Sequence, residues 1–259
     1  MTADTVGGVW TYAIELARAL EPFGVEILIA TMGAPLSVAQ RREAEELPHV
    51  AVAESKYQLE WMDEPWEDVD AAGTWLLKLA RRFKADLVHL NGYVHAALPW
   101  NVPVLVVAHS CVLSWWQAVK GKPAPARYRE YRRRVSLGMR AADFVVAPTA
   151  AMLAMIDDNY GFSAPEQVIA NGRAASDFTV GEKRPEIFCA GRLWDEAKNI
   201  GILDRVAPQL SWPIVVAGHT QRPDGEVAKF RHLRMLGQVS TARVATELAS
   251  ASIYAAPAR

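Results

Sequence analysis

Short apolar runs alternate with longer amphipathic stretches along most of this chain. The runs are rich in Val, Ile and Ala, and most are continuously apolar, which is typical of strands covered on both faces. Parallel strands joined by crossover helices produce this alternation, so the sequence predicts an α/β fold. The predicted strands are "VEILIA" (25–30), "HVAVA" (49–53), "DLVHL" (86–90), "VPVLVVA" (102–108), "DFVVAP" (143–148), "QVIA" (167–170), "EIFCAG" (186–191), "PIVVAG" (213–218) and "SIYAA" (252–256).

The amphipathic stretches between these runs predict helices at 9–20, 70–83, 126–142 and 241–251. In the first of them, the helical period places four apolar residues on one face, which we expect to pack on a sheet. These residues are Trp10, Ala13, Ile14 and Ala17. Pro22 and Gly24 follow this stretch and predict the end of the helix.

A change of composition divides the chain into two halves. Residues 171–186, "NGRAASDFTVGEKRPE", bring together Gly, Ser, Pro and charged residues before a fresh strand begins. We therefore expect a Rossmann-like domain over residues 1–172, a linker over 173–185 and a second domain over 186–259. The second half stops directly after a strand, with no closing helix, so we expect this second domain to be incomplete.

The composition is that of a globular protein with a sizeable core. The chain has 259 residues, of which 51% are hydrophobic and 22% are charged, and its formal net charge is −1. A nearly neutral chain exerts no broad attraction on nucleic acid, so we expect no nucleic-acid partner. No apolar run reaches the roughly 18 residues of a membrane-spanning helix, and the first residues, "MTADTVGG", lack the pattern of a signal peptide.

The two cysteines, Cys111 and Cys189, lie far apart and form no CxxC motif. This spacing argues against both a disulfide scaffold and a zinc site, and we expect no metal ligands. A reducing compartment fits such cysteine usage, so we expect a cytoplasmic protein.

Two loops have the chemistry of an anion site. In "DTVGGVW" (4–10), Gly7 and Gly8 precede the first helix and would let backbone N–H groups approach a phosphate; the alternative is an ordinary tight turn. In "CAGRLWDEAKN" (189–199), Arg192 and Lys198 flank an acidic loop, and we place Lys198 in the first turn of the next helix. Two helix N-termini with an Arg and a Lys suit a diphosphate. The alternative is that Arg192 and Lys198 pair with the loop's own acids, Asp195 and Glu196, on the surface.

A series of motifs along the chain resembles family 4 glycosyltransferases of the GT-B fold, in which two Rossmann-like domains face each other across a cleft. Each motif is modest, but they occur in the family's order and cover nearly the whole chain. The motifs are "TVGGVWTYAIELARAL", "ADLVHLNG", "VLVVAHS", "ADFVVAPTAAM", "VIANG", "AGRLWDEAKN", "LGQVS" and "SIYAAPAR".

The resemblance implies a nucleotide-diphosphate sugar as donor, UDP- or GDP-linked rather than ADP-linked, with no additional cofactor. It implies that Arg192 and Lys198 contact the diphosphate and that Gly7 and Gly8 lie near the phosphates. His109 would lie at the catalytic site near the transferred sugar, and the segment from Leu236 to Val239 near the nucleobase. It also implies transfer with retention and without a bound metal, to an acceptor that is an unidentified sugar or lipid.

One basic segment and one acidic segment each have more than one interpretation. Six arginines interleave with tyrosines between residues 120 and 140, which fits a peripheral contact with the inner face of a membrane or, as we favour, a solvated helix face. The segment "EDVD" (67–70) contains a DxD, a metal-binding signature of a different glycosyltransferase fold, but we interpret it as an N-cap.

The sequence also departs from the family pattern. Ala170 stands where the family has Pro before "NG", and the chain ends at Arg259, before the family's helix with two glutamates that contact the donor. We therefore expect a truncated chain, short by a little at the N-terminus as well. The alternative function is a catalytically inactive nucleotide- or glycan-binding or scaffold protein. Such a protein would form a homo-oligomer or need a partner chain to complete its second domain.

Overall fold

The computed structural model describes residues 1–222 and 225–259 and confirms the α/β fold. Contacts between Cα atoms divide these residues into two compact units. Unit 1 contains residues 1–117 and 122–172, and unit 2 contains residues 118–121 and 173–259. Each unit is built on parallel strands with helices between them.

Eleven strands lie within the described residues, and each of the nine predicted runs overlaps one of them. The strands are β1 (Thr2–Asp4), β2 (Ile27–Met32), β3 (Val50–Glu54), β4 (Val88–Leu90), β5 (Val104–Val107), β6 (Phe144–Ala147), β7 (Glu166–Val168), β8 (Arg184–Ala190), β9 (Ile214–Ala217), β10 (Arg234–Gly237) and β11 (Ala251–Tyr254). The two strands that the hydrophobic pattern did not predict are β1 and β10. Both are short and contain polar residues, so neither forms a continuous apolar run.

The described residues also form eight α-helices, four of which overlap the predicted ones. The helices are α1 (Gly8–Leu20), α2 (Val38–Glu45), α3 (Trp66–Phe83), α4 (Val112–Lys120), α5 (Arg129–Ala141), α6 (Ala150–Tyr160), α7 (Ile200–Val206) and α8 (Thr241–Ser250). The pattern missed α2 because it buries only Ala44 and has no apolar stripe. Its start is instead marked by a capping box between Ser37 and Gln40.

The strand order in unit 1 creates a switch point between β1 and β4. One sheet has the order β1-β2-β3 and the other β4-β5-β6-β7, and every strand pair in them is parallel. Asn91, just beyond β4, joins the two sheets. Its backbone N–H donates to Oγ1 of Thr2 at 2.9 Å, and its side-chain Nδ2 donates to the Thr2 carbonyl oxygen at 2.7 Å. In such sheets ligands bind beyond the carboxyl ends of the strands at the switch point.

Helix α1 packs on the β1-β2-β3 sheet as the sequence predicted. Its four buried residues are Trp10, Ala13, Ile14 and Ala17, and they form one cluster with Ile27 and Ile29 of β2. Pro22 lies in a single 3-10 turn that follows the helix. Gly24 then takes a left-handed conformation, with a φ of 68°, which ends the helical segment.

Unit 2 contains one parallel sheet with the strand order β10-β9-β8-β11. Its core lies on both faces of β8 and β9, where Phe188 and Val216 are almost fully buried. The backbones at the carboxyl ends of these two strands approach closely, because a Cβ on Gly218 would lie 1.7 Å from the Gly191 carbonyl oxygen. Only glycine fits at position 218.

Candidate functional site

The carboxyl edge of the unit 1 sheets brings together a histidine, an asparagine and a tyrosine. His109 follows β5, and its Nε2 lies 2.9 Å from Oδ1 of Asn91, which follows β4. The rings of His109 and of Tyr12 from α1 make an edge-to-face contact, with 4.5 Å between the ring centroids. A second histidine, His89 of β4, places its Nε2 3.3 Å from the same Asn91 oxygen.

Burial keeps both histidines neutral at pH 7. Desolvation lowers the pKa of His109 to about 4 and that of His89 to about 3. Asn91 then decides which nitrogen of each ring carries the proton. Its Nδ2 donates to the Thr2 carbonyl, so its Oδ1 is the acceptor, and the Nε2 atoms of the histidines are the donors. His109 is therefore the Nε2–H tautomer, and its Nδ1 is an acceptor.

Gly7 and Gly8 form the start of α1, directly after β1 and its loop. Gly7 is the N-cap residue with an ordinary extended conformation, and no side chain caps the helix. A Cβ on Gly8 would meet no heavy atom within 4 Å among the described residues. The packing of unit 1 therefore does not require glycine at position 8, and the first turn of α1 contains no acidic residue. Its N–H groups are suited to an anion.

Arg192 lies just beyond β8 in unit 2 and forms an ion pair within its own loop. Its Nη2 lies 2.7 Å from Oδ2 of Asp195, and its side chain remains 46% exposed whereas that of Asp195 is 8% exposed. The guanidinium also lies 5.6 Å from the ring centroid of Trp194. The sequence allowed Arg192 and Lys198 to pair with the acids of their loop, and the pair between Arg192 and Asp195 is present.

Lys198 has no such pairing. The other acid of the loop, Glu196, pairs instead with Lys120. Among the described residues no acidic side chain forms an ion pair with the exposed Lys198. The prediction that Lys198 lies in the first turn of the next helix was wrong. Lys198 ends a 3-10 turn, Asn199 follows with a φ of 53°, and α7 begins at Ile200. The left-handed residue separates the turn from the helix.

Leu236 and Val239 lie at the carboxyl end of β10. Both side chains pack against a cluster that contains Phe188 and Val215. The part of this segment that is open to a ligand is therefore its backbone and the exposed Gln238 between them.

Sequence reasoning missed three residues that shape the unit 1 site. Asn91 lies in the motif "ADLVHLNG" but carries no signal of its own, and Tyr12 has the spacing of an ordinary α1 residue. Glu60 lies in the loop before α3 and accepts hydrogen bonds from the backbone N–H groups of Tyr93 and Val94. An isolated glutamate in a polar loop resembles any solvated residue.

The DxD segment "EDVD" (67–70) has a structural role, although it is not the predicted N-cap. Pro65 is the N-cap residue, and the segment lies in the first turns of α3. Asp68 accepts a hydrogen bond from the Gln58 backbone at 2.9 Å, and Asp70 forms an ion pair with Arg134 of α5. Within the described part of the chain, no group of three or more His, Cys, Asp or Glu side chains has the arrangement of a metal site.

A cavity of about 710 Å³ lies elsewhere in unit 1. It is lined by the amino-terminal part of β2, by β4 and by the final turns of α1 and α3, including Leu20, Ile27 and Phe83. The lining also includes His89, whose Nε2 lies 3.3 Å from the Asn91 oxygen, but it does not include His109. Among the described residues, no helix combines the length and the apolar character that a membrane crossing requires.

Solved structures with the same architecture define the class of this protein. Sucrose-phosphate synthase from Thermosynechococcus elongatus matches with a TM-score of 0.72 and 15% identity, over 96% of this chain and 69% of its own. HepE from Anabaena, in complex with UDP, matches with a TM-score of 0.67 and 15% identity, over 99% of this chain and 73% of its own. A glycosyltransferase from Rickettsia africae matches with a TM-score of 0.65 and 13% identity, over 100% and 71%. The parallel sheets in a Rossmann-like arrangement and these matches define a GT-B protein.

The sequence profile described as Glycosyltransferase Family 4 matches residues 6–175. The chain therefore belongs to glycosyltransferase family 4, which confirms the resemblance found in its motifs. Membership supports an enzyme that transfers sugars. A comparison with curated protein sequences found no significant match.

Proposed function

We propose that this protein transfers a sugar from a nucleotide-diphosphate sugar to a sugar or lipid acceptor, with retention and without a bound metal. The observation that carries the proposal is the lone positive charge of Lys198 beyond β8. The two acids of its loop are paired with Arg192 and Lys120, so the loop retains one cation without a counter-charge among the described residues. A diphosphate supplies the missing negative charge, and its oxygens accept hydrogen bonds from an ammonium group.

Arg192 completes this cationic site. Its guanidinium is half exposed and uses Nη2 for Asp195, which leaves other N–H donors for a phosphate oxygen. Asp195 is itself held in place because it accepts a hydrogen bond from the Ala197 backbone at 2.9 Å. The ion pair therefore orients the Arg192 guanidinium and leaves its other N–H groups available to a ligand. The negative charge that develops on the leaving diphosphate is stabilised by these fixed cations, which is the role that a divalent ion has in other enzymes.

For unit 1 we propose two roles. The N–H groups at Gly7 and Gly8 contact donor phosphates, since α1 begins without a side-chain cap or an acidic residue. Neutral His109 contacts the transferred sugar, and its Nδ1 accepts a hydrogen bond from a sugar hydroxyl. A neutral imidazole suits this contact because it carries no charge that repels a developing positive charge on the sugar.

For the nucleobase we propose contacts from the backbone between Leu236 and Val239, because both side chains are committed to the core. UDP is the first donor nucleotide to test, since HepE has the same fold and its structure contains UDP. Retention and metal independence are proposed on the ground of family membership.

We further propose that the enzyme works in the cytoplasm and meets lipid acceptors through α5. Arg133 and Arg134 of this helix pair with Glu130. Three other arginines are exposed and have no acidic partner among the described residues: Arg129, Arg132 and Arg140. An anionic headgroup surface attracts such a face.

Calorimetric titration with UDP, GDP and ADP tests the proposed donor site. We expect UDP or GDP to bind and Lys198→Gln to weaken binding by about tenfold or more, the loss of one charge-assisted contact. Arg192→Gln should weaken it as well. Arg205→Gln is the matched control, because Arg205 is an exposed cation of α7 outside the proposed site. Binding of none of the three nucleotides at submillimolar concentration, or equal binding by Lys198→Gln and the unmodified chain, contradicts the proposal.

Turnover is tested by the release of nucleoside diphosphate from UDP- and GDP-sugars, with and without EDTA. We expect the release to persist in EDTA and NMR to find the anomeric configuration of the donor in the product. Tight nucleotide binding with no release for any donor supports instead the binding or scaffold protein. The native mass then shows whether a homo-oligomer or a partner chain is involved.

A further inference from the structure

Glu60 has an unusual position for a carboxylate in unit 1. It lies in the loop between β3 and α3, and no cationic side chain among the described residues forms an ion pair with it. Its carboxylate faces backbone N–H groups instead. Oε2 accepts from Tyr93 at 3.1 Å and from Val94 at 3.0 Å, and Oε1 accepts from Tyr93 at 3.1 Å. Burying a carboxylate without a cation is costly, and these hydrogen bonds compensate the cost. Because they would be lost if the segment after β4 moved, they hold that segment in one conformation.

The segment around Gly92 is built to receive this carboxylate. A Cβ on Gly92 would lie 3.3 Å from Oε2 of Glu60, closer than side chains normally pack. Tyr93 is the N-cap and Val94 the first residue of the short 3-10 helix Val94–Ala97, and their N–H groups are those that a helix start leaves without internal partners. Glu60 therefore satisfies donors that would otherwise be buried and unpaired.

Tyr93 connects Glu60 to the segment after β5, which contains His109. Its phenol O–H donates to the carbonyl oxygen of Ser110 at 2.8 Å, and Ser110 is the residue after His109. Its own carbonyl lies against α5, where a Cβ on Gly138 would lie only 1.9 Å from the oxygen. Tyr93 is 3% exposed and is thus fixed at its N–H, its carbonyl and its hydroxyl.

Asn91 is also held in place by Glu60, through the backbone of residues 92 and 93. It precedes Gly92 and Tyr93 in this short segment, and its Oδ1 accepts the Nε2–H of His109. A displacement of residues 92–94 moves Asn91, which is two residues from Tyr93, and Ser110, which is bonded to Tyr93. The positions of Asn91, which is bonded to the His109 ring, and of Ser110, the next residue in the chain, therefore both depend on the Glu60 carboxylate.

We propose that Glu60 is a positioning residue: its carboxylate holds residues 91–94 and thereby sets the tautomer and orientation of His109. Glu60 touches no reacting atom and acts through Asn91 and Tyr93. The consequence for catalysis rests on the proposed contact of His109 with the transferred sugar. The structural claim is independent of any donor.

The test observes His109 directly in the 259-residue chain, without a ligand. Long-range ¹H–¹⁵N NMR distinguishes the protonated from the unprotonated ring nitrogen of each histidine. Above pH 7 the Glu60 carboxyl is ionised and His109 is neutral, so we expect His109 of the unmodified protein to be protonated at Nε2 alone. In Glu60→Gln, the amide NH₂ faces backbone donors, and we expect the segment to shift. At the same pH we therefore expect a mixture of His109 tautomers.

Glu64→Gln is the matched control, because Glu64 is an exposed glutamate of the same loop with no hydrogen bond to residues 91–94. It should leave the His109 signals unchanged. Tyr93→Phe removes only the hydroxyl that donates to Ser110 and keeps the ring, so it tests the same path if Glu60→Gln does not fold. We expect Tyr93→Phe also to change the His109 signals.

The proposal is overturned if folded Glu60→Gln, or folded Tyr93→Phe when the first variant does not fold, retains the Nε2–H tautomer of His109 above pH 7. A UDP titration of the same samples separates this result from the proposed function. Loss of the His109 tautomer in Glu60→Gln with no nucleotide binding by any sample supports the positioning role and contradicts the donor site. Nucleotide binding by all samples with unchanged His109 signals does the reverse.

Discussion

Asn91 accepts the Nε2–H of His109 at 2.9 Å while its own amide donates to Thr2, 89 residues away in sequence. The Asn91 side chain thus joins β1 to the segment after β4 at the switch point of the unit 1 sheets. It also selects the tautomer of His109. This double role makes Asn91 the most informative position for mutation in unit 1.

Asn91→Asp should raise the pKa of His109. A carboxylate in place of the amide oxygen adds a negative charge beside the ring, which favours the imidazolium and opposes the desolvation that lowers the pKa to about 4. NMR titration of the histidine ring protons measures the shift. Gln58→Glu is the control, since it adds the same charge at an exposed position of unit 1. An unchanged pKa in folded Asn91→Asp shows that the hydrogen bond does not govern the ring.

Gly8→Ala should leave the fold intact but weaken nucleotide binding. A Cβ at this position meets no atom within 4 Å, and alanine favours a helix more than glycine does, so we expect a stability change of at most about 1 kcal/mol. The added methyl group occupies the space where we propose a phosphate. Thermal unfolding and UDP titration check the two halves of this prediction. Wild-type affinity in Gly8→Ala argues against a phosphate at the start of α1.

The stability of the protein should contain a pH-dependent contribution from Glu60. Burial raises the pKa of this carboxyl from 4.5 to about 7, so the folded state holds the proton more tightly than the unfolded state does. The contribution is fully present below pH 4.5 and is lost as the pH rises to about 7. Urea unfolding across this range should show the unmodified protein losing stability relative to Glu60→Gln. A parallel course for the two proteins contradicts the raised pKa, and Glu64→Gln should follow the unmodified protein.

Gly138→Ala should destabilise unit 1 strongly. The new methyl group would lie 1.9 Å from the Tyr93 carbonyl oxygen, so either α5 or the segment after β4 must move. Overpacking of this kind costs about 1–3 kcal/mol, and it should also disturb the His109 signals in NMR. Gly172→Ala is the control, because its Cβ meets nothing within 4 Å among the described residues. Equal unfolding midpoints for the two variants contradict the close approach.

Glu247→Ala should destabilise unit 2. This glutamate of α8 is 5% exposed and pairs with Arg184 at 2.9 Å and Arg243 at 2.6 Å. Both arginines are about half exposed and water can solvate them, so we expect a loss of about 1–3 kcal/mol, below that of a fully buried pair. Urea unfolding measures the loss. Glu182→Ala, at an exposed glutamate of the same unit, should change the midpoint little.

Local periodicity was enough to predict much of the fold. The buried face of α1, with Trp10 and Ile14, follows from a 3.6-residue repeat, and the apolar runs around Val106 and Val216 mark central strands. Both signals are contained in a few consecutive residues. Strand β10 and helix α2 escaped prediction because each lies at an exposed position, where the hydrophobic pattern is weak.

The amino-acid sequence by itself determined the α/β alternation, the family and the candidate residues His109, Arg192 and Lys198, because short motifs and periods carry that information. Only the tertiary structure decided their partners. It paired Glu196 with Lys120, 76 residues away, rather than with Lys198. It also placed the Glu60 carboxylate within hydrogen-bond distance of the Tyr93 N–H, 33 residues away. Polar loop residues have no period, and which of them meet depends on the order of the strands that carry them.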